Sequence, residues 1–195
     1  MMDLRQRVYS VLIVSASARV CEALSELLPA ERFEPVRTEH SVSAARRAVA
    51  ERPYDLVVIN SPLPDDPGVG FAVDLCASDS TAVMLLVQRE LHDEIHDRVC
   101  AHGVFTLPRP TTAEFAATAF GWMVSMRERM RKFEKKTLSI EEKMEEIRLV
   151  NHAKWVLIRE MQMEEGEAHR YIEKQAMDRC ISKRELAQEL IRLYE

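Results

Sequence analysis

The sequence predicts an α/β fold with a five-stranded, doubly wound parallel sheet, followed by a long coiled-coil helix and a small three-helix C-terminal module. The sheet is predicted because short β-branched apolar runs, bounded by turn residues, alternate with amphipathic helical stretches up to about residue 120. Such β-α alternation indicates parallel strands with helices on both faces. The long helix is predicted because no proline follows residue 112 and an apolar heptad pattern begins near residue 123.

The elements of the N-terminal part follow each other in regular order. We expect strands at residues 9–14, 33–37, 53–60, 81–87 and 104–107, of which the second is the weakest. We expect helices at residues 19–28, 41–51, 69–77, 93–101 and from 111 or 112 onward. With 195 residues and 47% hydrophobic content, the chain suffices for one core-bearing domain and an appendage. We therefore expect three segments, at residues 1–121, 122–147 and 138–195, of which the last two share the long helix.

The four cysteines do not suggest a metal site. Cys21, Cys76, Cys100 and Cys180 lie far apart, without a Cys-x-x-Cys pair and without histidines at ligand spacing. We expect them to be buried, reduced thiols. The N-terminus lacks a basic segment followed by an apolar run, and no stretch approaches the ~18 apolar residues of a membrane helix. These features predict a cytoplasmic protein without a membrane partner.

The net charge of −5 is unevenly distributed along the chain. Residues 1–121 carry 11 basic and 17 acidic side chains, whereas residues 122–195 carry 16 basic and 15 acidic ones. The C-terminal part is therefore close to neutral and cannot rely on strong non-specific attraction to phosphates. If it binds a nucleic acid, specific contacts must supply more of the affinity.

The last third of the chain carries an ordered set of short motifs. In chain order they are Ala153-Lys154, Ala168, Ala176-Met177 and Leu186-Ala187. Their order and spacing over roughly residues 138 to 194 resemble the ANTAR module, a three-helix RNA-binding domain of bacterial transcription antitermination regulators. One departure is Trp155, which stands where the family usually has glycine and makes the helix surface bulkier.

The resemblance implies that polar residues outside the core of this module contact RNA. RNA readers need cations for phosphates and planar groups for unpaired bases. The candidate contacts are Arg148, Lys154, Arg159, His169, Arg170, Lys174, Arg179 and Lys183. For each of them a solvated helix face is the alternative. Met177 also matches the family, although we expect a methionine at this spacing to lie in the core.

A second resemblance lies in the N-terminal part. The spacing of Asn60, Pro64 and Gly68, with Arg109-Pro110 after the last strand, resembles the phosphoacceptor loop and the Lys-Pro pair of response-regulator receiver domains. The residues that carry the chemistry have changed. Asn60 stands for the acceptor aspartate, Ser15-Ala16 for the acidic pair, Val87 for the hydroxyl residue and Arg109 for the lysine. Phosphoryl transfer needs a nucleophilic carboxylate and an oxygen-rich Mg²⁺ site, so the resemblance implies a receiver that is not phosphorylated.

Two aspartates leave an alternative acceptor open. Asp65 and Asp66 lie in the same loop, five and six residues beyond Asn60. The competing interpretation is that they are solvated turn residues between Pro64 and Pro67.

The heptad pattern of the long helix predicts a dimer. Apolar positions recur in steps of 3 and 4 from Met123 to Ile147, interrupted once by Thr137, with charges on the other faces. We expect the dimer interface, called the seam below, to be formed by Met126, Met130, Phe133, Ile140, Met144 and Ile147. Packing of this stripe on the chain's own sheet is the alternative, but a helix of ~50 residues outruns a domain of this size. From Leu149 to Leu157 a new apolar stripe on another face predicts a change of packing partner.

The two resemblances imply a non-enzymatic regulator without cofactors that binds hairpin loops of nascent leader RNA, and the heptad pattern adds that it is a dimer. Its control is expected to come from a regulatory protein or ligand at the receiver, or from expression level. Two alternatives remain: a coiled-coil adaptor that binds protein but not RNA, and a regulator phosphorylated on an atypical acceptor.

Overall fold

A computed structural model describes residues 7–78 and 81–194 of the chain. The chain divides into two compact units, Met1–Lys132 and Phe133–Glu195. Met123, which the heptad pattern assigns to the start of the seam, is fully buried in the core of the N-terminal unit. The seam prediction is wrong at this residue, because the first part of the long helix still covers the sheet.

The N-terminal unit contains the predicted five-stranded parallel sheet. Its strands are β1 (Tyr9–Val14), β2 (Phe33–Glu39), β3 (Leu56–Asn60), β4 (Ala82–Gln88) and β5 (Phe105–Arg109). Their order in the sheet is β2-β1-β3-β4-β5, and every neighbouring pair is parallel. β1 and β3 are buried along their whole length, which explains why their sequences are continuous apolar runs rather than alternating ones.

Helices cover both faces of this sheet. They are α1 (Ala18–Glu26), α2 (Val42–Glu51), α3 (Val69–Ser78), α4 (His92–Val99) and the first part of α5 (Ala113–Met161). One buried cluster packs β-strand residues such as Leu12 and Ile59 against α2, α3 and α4. The other packs residues such as Ile13 and Met84 against α1 and α5, where Phe120 and Met123 lie.

A partly buried ionic network holds α5 against the strand ends of this unit. The Asp55 carboxylate accepts hydrogen bonds from Arg127 at 2.9 Å and Arg131 at 2.6 Å. It also accepts from the Ser10 backbone amide at 3.1 Å. Glu128 accepts from Arg7, Tyr9 and Arg131 at 2.5, 3.1 and 3.2 Å. Burial opposes ionisation of Glu128, but its hydrogen bonds and the charges of its arginine partners outweigh burial and lower its pKa.

The C-terminal unit contains the second part of α5 and two shorter helices, α6 (Glu165–Asp178) and α7 (Lys183–Tyr194). The predicted change of packing partner is confirmed, since Ala153 and Leu157 are fully buried in the core of this unit. Capping boxes start both short helices, one at Glu164 with Glu167 and the other at Ser182 with Glu185. Caps matter here because short helices with small apolar faces are marginal on their own.

The cysteines differ in their environment. Cys21 is buried and Cys76 half-buried, whereas Cys100 and Cys180 are exposed. Burial raises the pKa of the Cys76 thiol to about 11. The expectation of four buried thiols is therefore wrong for two of them. Within the described residues, no helix is long and apolar enough to span a membrane.

Candidate functional site

The carboxyl edge of the sheet places the predicted acceptor position, Asn60, in a neutral setting. Asn60 ends β3 and is 5% exposed, and its Nδ2 donates to the Ser15 hydroxyl at 2.9 Å. Ser15 is fully buried, Val87 is buried in β4, and Ala16 is exposed. Asn60 Oδ1 has no hydrogen-bond partner among the described residues. The acceptor position therefore holds a buried amide bonded to a hydroxyl, with no carboxylate at these positions.

Arg109 ends β5 at the same edge. Its guanidinium donates to the Ser61 carbonyl, next to the acceptor position. Its Nε is buried and has no acceptor among the described residues. Across residues 7–78 and 81–194, no group of three or more His, Cys, Asp or Glu side chains is arranged to hold a metal ion.

The two loop aspartates are engaged in backbone contacts. The Asp65 carboxylate accepts from the amides of Val42 and Ser43, each at 2.9 Å, and from the Ser43 hydroxyl at 2.5 Å. These bonds, above all the one from the Ser43 hydroxyl, lower the pKa of Asp65 to about 2. Asp66 accepts from the Gly68 amide at 2.6 Å. Both side chains thus stabilise the loop and the start of α2, which favours a structural role over that of a phosphoacceptor.

The receiver-like loop requires glycine at position 68 for a steric reason. The φ of Gly68 is +80°, and a Cβ at this position would lie 2.9 Å from Cγ2 of Ile59. The glycine is required by the backbone and by the close packing of β3, independently of any phosphoryl chemistry. The loop shape therefore does not depend on a carboxylate at residue 60.

In the C-terminal unit, most of the predicted RNA contacts are ion-paired. The pairs are Arg148–Glu145, Lys154–Glu165, Arg159–Glu160, His169–Glu173, Lys183–Glu173 and Arg179–Glu189. Hydrogen bonding by Lys183, with the charges of Lys183 and His169, lowers the pKa of Glu173. Apart from the pair of Lys154, these pairs are exposed, and exposed pairs contribute little to stability and exchange partners at small cost. They leave these cations available to a stronger anionic partner.

One face of α6 brings several of these residues together beside α7. Arg170, Lys174 and Met177 recur at spacings of four and three and so lie on one face. They line a groove of about 850 Å³ together with Lys183 and Ile181. Arg170 donates to the Gly166 carbonyl at 3.2 Å, and Lys174 has no ion-pair partner among the described residues. Met177 is 75% exposed, so the expectation that it belongs to the core is wrong.

Lys154 occupies a different environment from the other candidates. Its side chain is only 16% exposed, and its Nζ lies 3.1 Å from Oε1 of Glu165. Glu165 belongs to the first turn of α6, so the ion pair joins α5 to α6. Lys154 is therefore not a free surface cation, and its predicted contact with RNA stays a prediction. Lys154 can contact an anionic ligand only if Glu165 shares the ammonium group with that ligand or moves away from it.

Trp155 is a second exposed feature of this unit and is not among the contacts expected from the sequence. Its side chain is 70% exposed on α5. His152 and Arg159, three residues before and four after it, lie on the same helix face and line a depression of about 360 Å³ with it. The signal in the sequence was its departure from the usual glycine. A large aromatic side chain among polar neighbours is a surface on which an unpaired base can stack.

The predicted seam residues change exposure along α5. Met126 and Met130 are half-buried, in the N-terminal unit. Phe133, Ile140, Met144 and Ile147 are each at least 50% exposed. Four large apolar side chains at heptad spacing on one exposed face are typical of a helix that pairs with another helix.

Comparisons with known proteins give a family match for the C-terminal part of the chain and a fold match for the N-terminal part. Residues 139–191 match the family model of the ANTAR domain. The signal receiver domain of an HD domain-containing protein from Pseudomonas fluorescens Pf-5 is 18% identical, with a TM-score of 0.58, covering 68% of this chain and 97% of that one. A response regulator receiver domain protein from Clostridium thermocellum is 18% identical, with a TM-score of 0.55, covering 62% and 98%. No curated protein matches the chain.

A third similar structure is a CheY-like response regulator receiver domain from Methylobacillus flagellatus. It is 22% identical, with a TM-score of 0.51, covering 60% of this chain and 98% of that one. These identities establish the fold of the N-terminal unit, and not its chemistry. The match of residues 139–191 to the ANTAR family supports, in general terms, an RNA-binding regulator of the antitermination type. The chain is therefore a fusion of a receiver-fold domain with an ANTAR domain.

Proposed function

We propose that this protein is a dimeric transcription antitermination regulator that binds hairpin loops of nascent leader RNA. The observation that carries the proposal is the ANTAR match over residues 139–191. The near balance of 16 basic and 15 acidic residues after residue 121 supports loop recognition over general attraction to phosphates. Duplex RNA should then compete poorly, because it offers phosphates but few unpaired bases.

The α6 groove is the proposed main RNA contact. Arg170 and Lys174 are suited to phosphates or base edges, and the exposed Met177 offers apolar surface to an unstacked base. Trp155, flanked by His152 and Arg159, is proposed as a second contact that stacks on another base. The remaining predicted cations, Arg148, His169, Arg179 and Lys183, are proposed to contribute through phosphates.

The receiver-fold unit is proposed to act without phosphorylation. The buried Asn60–Ser15 pair offers no nucleophilic carboxylate, and Asp65 and Asp66 are bonded to backbone amides. Control is then left to a regulatory protein, to a ligand of this unit or to expression level. The exposed apolar stripe from Phe133 to Ile147 supports a homodimer.

Crosslinking to RNA in cells tests the main proposal. Transcripts crosslinked to the protein are sequenced, and the enriched leader hairpin is titrated in vitro. Arg170→Ala with Lys174→Ala should weaken binding of that hairpin about tenfold or more, since contacts of this kind contribute about 1–3 kcal/mol each. Lys143→Ala with Arg192→Ala removes the same charge from exposed positions outside the proposed face and should change binding less than about threefold. Equal losses in both variants would contradict the assigned face, and absence of any enriched hairpin would contradict RNA binding.

A pair of variants distinguishes the two roles of Lys154. Lys154→Ala removes the cation, whereas Glu165→Gln keeps it and removes its partner. If Lys154 binds RNA, the first variant weakens hairpin binding and the second preserves or strengthens it. If Lys154 only joins α5 to α6, both variants lower the melting temperature of the C-terminal unit by similar amounts, and RNA affinity follows stability.

Chemical phosphorylation tests the proposal for the receiver-fold unit. We expect acetyl phosphate with Mg²⁺ to leave the protein unmodified by mass spectrometry. We expect Asn60→Asp to remain unmodified as well, because Ser15 and Ala16 supply no carboxylate for the metal. Labelling of the Asn60→Asp protein would contradict this view of the metal site. Labelling of the parent chain would instead support phosphorylation on an atypical acceptor residue.

A protein-binding adaptor is the second candidate function. The observation that favours it is an exposed aromatic pair on α5, Phe115 and Trp122, whose ring centroids lie 5.8 Å apart in an edge-to-face arrangement. The two side chains are 45% and 50% exposed, and exposed aromatic clusters are typical of protein interfaces. An adaptor would capture a protein in cells but leave leader hairpins unbound.

A further inference from the structure

The receiver-fold unit contains a cavity beside the former acceptor position. It has a volume of about 640 Å³, within the range of small-molecule sites, and lies between α1 and the first turns of α5. Its apolar wall is formed by Val20, Ala23, Leu24, Leu27, Leu86 and Ala116. Such a wall favours a ligand with an apolar body.

The polar lining of the cavity is cationic. Arg19, in the first turn of α1, and Arg109, at the end of β5, both line it. The lining residues include no aspartate or glutamate, although residues 1–121 carry 17 acidic and only 11 basic side chains. Gln88 and Thr111 add neutral hydrogen-bonding groups. The charge of this lining is thus opposite to that of the rest of the unit.

Arg109 has unused hydrogen-bonding capacity. One of its Nη groups donates to the Ser61 carbonyl, but its buried Nε has no acceptor among the described residues. A buried donor without a partner costs about 1–3 kcal/mol. Arg19 is exposed and has no ion-pair partner among the described residues. Two guanidinium groups beside one apolar cavity are suited to a carboxylate, which arginine binds with charge-assisted hydrogen bonds.

We propose that this cavity binds a small organic acid, with its carboxylate at Arg19 and Arg109 and its apolar body against α1 and α5. The ligand would contact the first turn of α5, the same helix that carries the predicted dimer seam. Binding would stabilise the folded receiver unit by mass action and would supply the input that the unit no longer takes from phosphate. The proposal does not depend on RNA binding, because every residue it uses lies in the N-terminal unit.

Calorimetric titration of the full chain tests the ligand class. The probes are octanoate and 4-phenylbutyrate, with octanamide as the matched neutral body and inorganic phosphate as the matched anion without a body. We expect both acids to bind and both controls to bind at least about tenfold more weakly. Octanamide binding as tightly as octanoate would overturn the role of the arginines. Absence of binding by either acid at millimolar concentration would overturn the site.

Variants of the lining locate the site. Arg19→Gln and Arg109→Gln should each weaken octanoate about tenfold, and Ala23→Phe should abolish binding by filling the cavity. Arg47→Gln removes the same charge from an exposed position of α2 outside the cavity and should leave the affinity unchanged. Circular dichroism checks that each variant is folded. If Arg109→Gln does not fold, Arg19→Gln and Ala23→Phe decide, and unchanged binding in these two would place the acid elsewhere.

Discussion

At the carboxyl edge of the sheet in the N-terminal unit, Asn60 and Ser15 are buried and bonded to each other, whereas in the C-terminal unit Trp155 and Met177 lie exposed among cations. Both places carry residues that the family resemblances single out. At the first, the two polar side chains are hydrogen-bonded to each other, although Asn60 Oδ1 has no partner among the described residues. At the second, the large apolar side chains of Trp155 and Met177 are exposed to water, and burying them against a partner lowers the free energy.

The difference separates structural roles from candidate functional ones. In the receiver-fold unit, Gly68 fixes the loop, and the predicted acceptor position holds an asparagine. In the ANTAR unit, exposed residues such as Met177 are not needed by the core. Exposed motif residues without a packing role are better candidates for function than buried ones, because burial already explains why a residue is apolar.

The largest effect should come from the exposed stripe of α5. Phe133→Glu with Ile140→Glu places charges in the predicted interface, and we expect the mass by sedimentation to fall from dimer to monomer, since unpaired buried charges cost several kcal/mol. Leu138→Glu, at an exposed position outside the seam, is the matched control and should leave a dimer. A dimer that survives the double change would move the interface away from this stripe.

Core truncation compares the two units directly. Ile59→Ala and Ile172→Ala each remove an almost fully buried side chain and should each cost about 2–5 kcal/mol. The C-terminal unit has a core cluster of eight buried residues, so Ile172→Ala should unfold it, whereas Ile59→Ala should only lower the stability of the larger unit. Hydrogen exchange measures protection in each unit separately. If both units stayed equally protected from exchange, the expected difference in stability between them would be contradicted.

The ionic network at Asp55 should have a smaller effect. Asp55→Ala leaves Arg127 and Arg131 without their shared carboxylate in a setting where all three side chains are at most 26% exposed. We expect a loss of about 2 kcal/mol by urea unfolding of the N-terminal unit. Asp74→Ala breaks an exposed pair with Arg46 and should cost about 0.5 kcal/mol or less. Similar costs would mean that the Asp55 network does not anchor α5.

Cys180 offers a stabilising change of about 1 kcal/mol in the C-terminal unit. It follows α6 with a φ of 52°, and the Ile181 amide donates to the Ala176 carbonyl at 3.0 Å, as in a Schellman motif. Cys180→Gly should therefore raise stability by about 1 kcal/mol. The control, Cys100→Gly, lies at a φ of −62° and should lower it. A thermal melt that ranks the two variants the other way would contradict the assigned backbone strain.

The smallest effect is a pH dependence at Asp65. Its pKa in the folded chain is about 2 against an ordinary value of 3.8. A lowered pKa means that its contribution to stability is present above about pH 4 and is lost as pH falls through about 2. In Asp65→Asn, the urea midpoint should depend less on pH in this range. Asp97→Asn, at an exposed position of α4, should leave that pH dependence unchanged. An unchanged slope in Asp65→Asn would mean that its bonds to Ser43 and Val42 are not kept in solution.

The sequence by itself predicted the local features of the chain. Alternating apolar runs predicted the parallel sheet, and the absence of proline predicted α5 as one helix. Motif spacing predicted the receiver and ANTAR resemblances. These features depend on backbone propensity and side-chain period, which act over a few residues.

Only the tertiary structure decided which side chains are available. It buried Met123, exposed Met177, and paired Lys154 with Glu165. It also bonded Asp65 to α2 and formed the cavity between α1 and α5 from residues up to 97 positions apart, Arg19 and Ala116. No local pattern encodes these outcomes, because each depends on which distant segment packs against the residue, and burial and ion pairing are set by that neighbour.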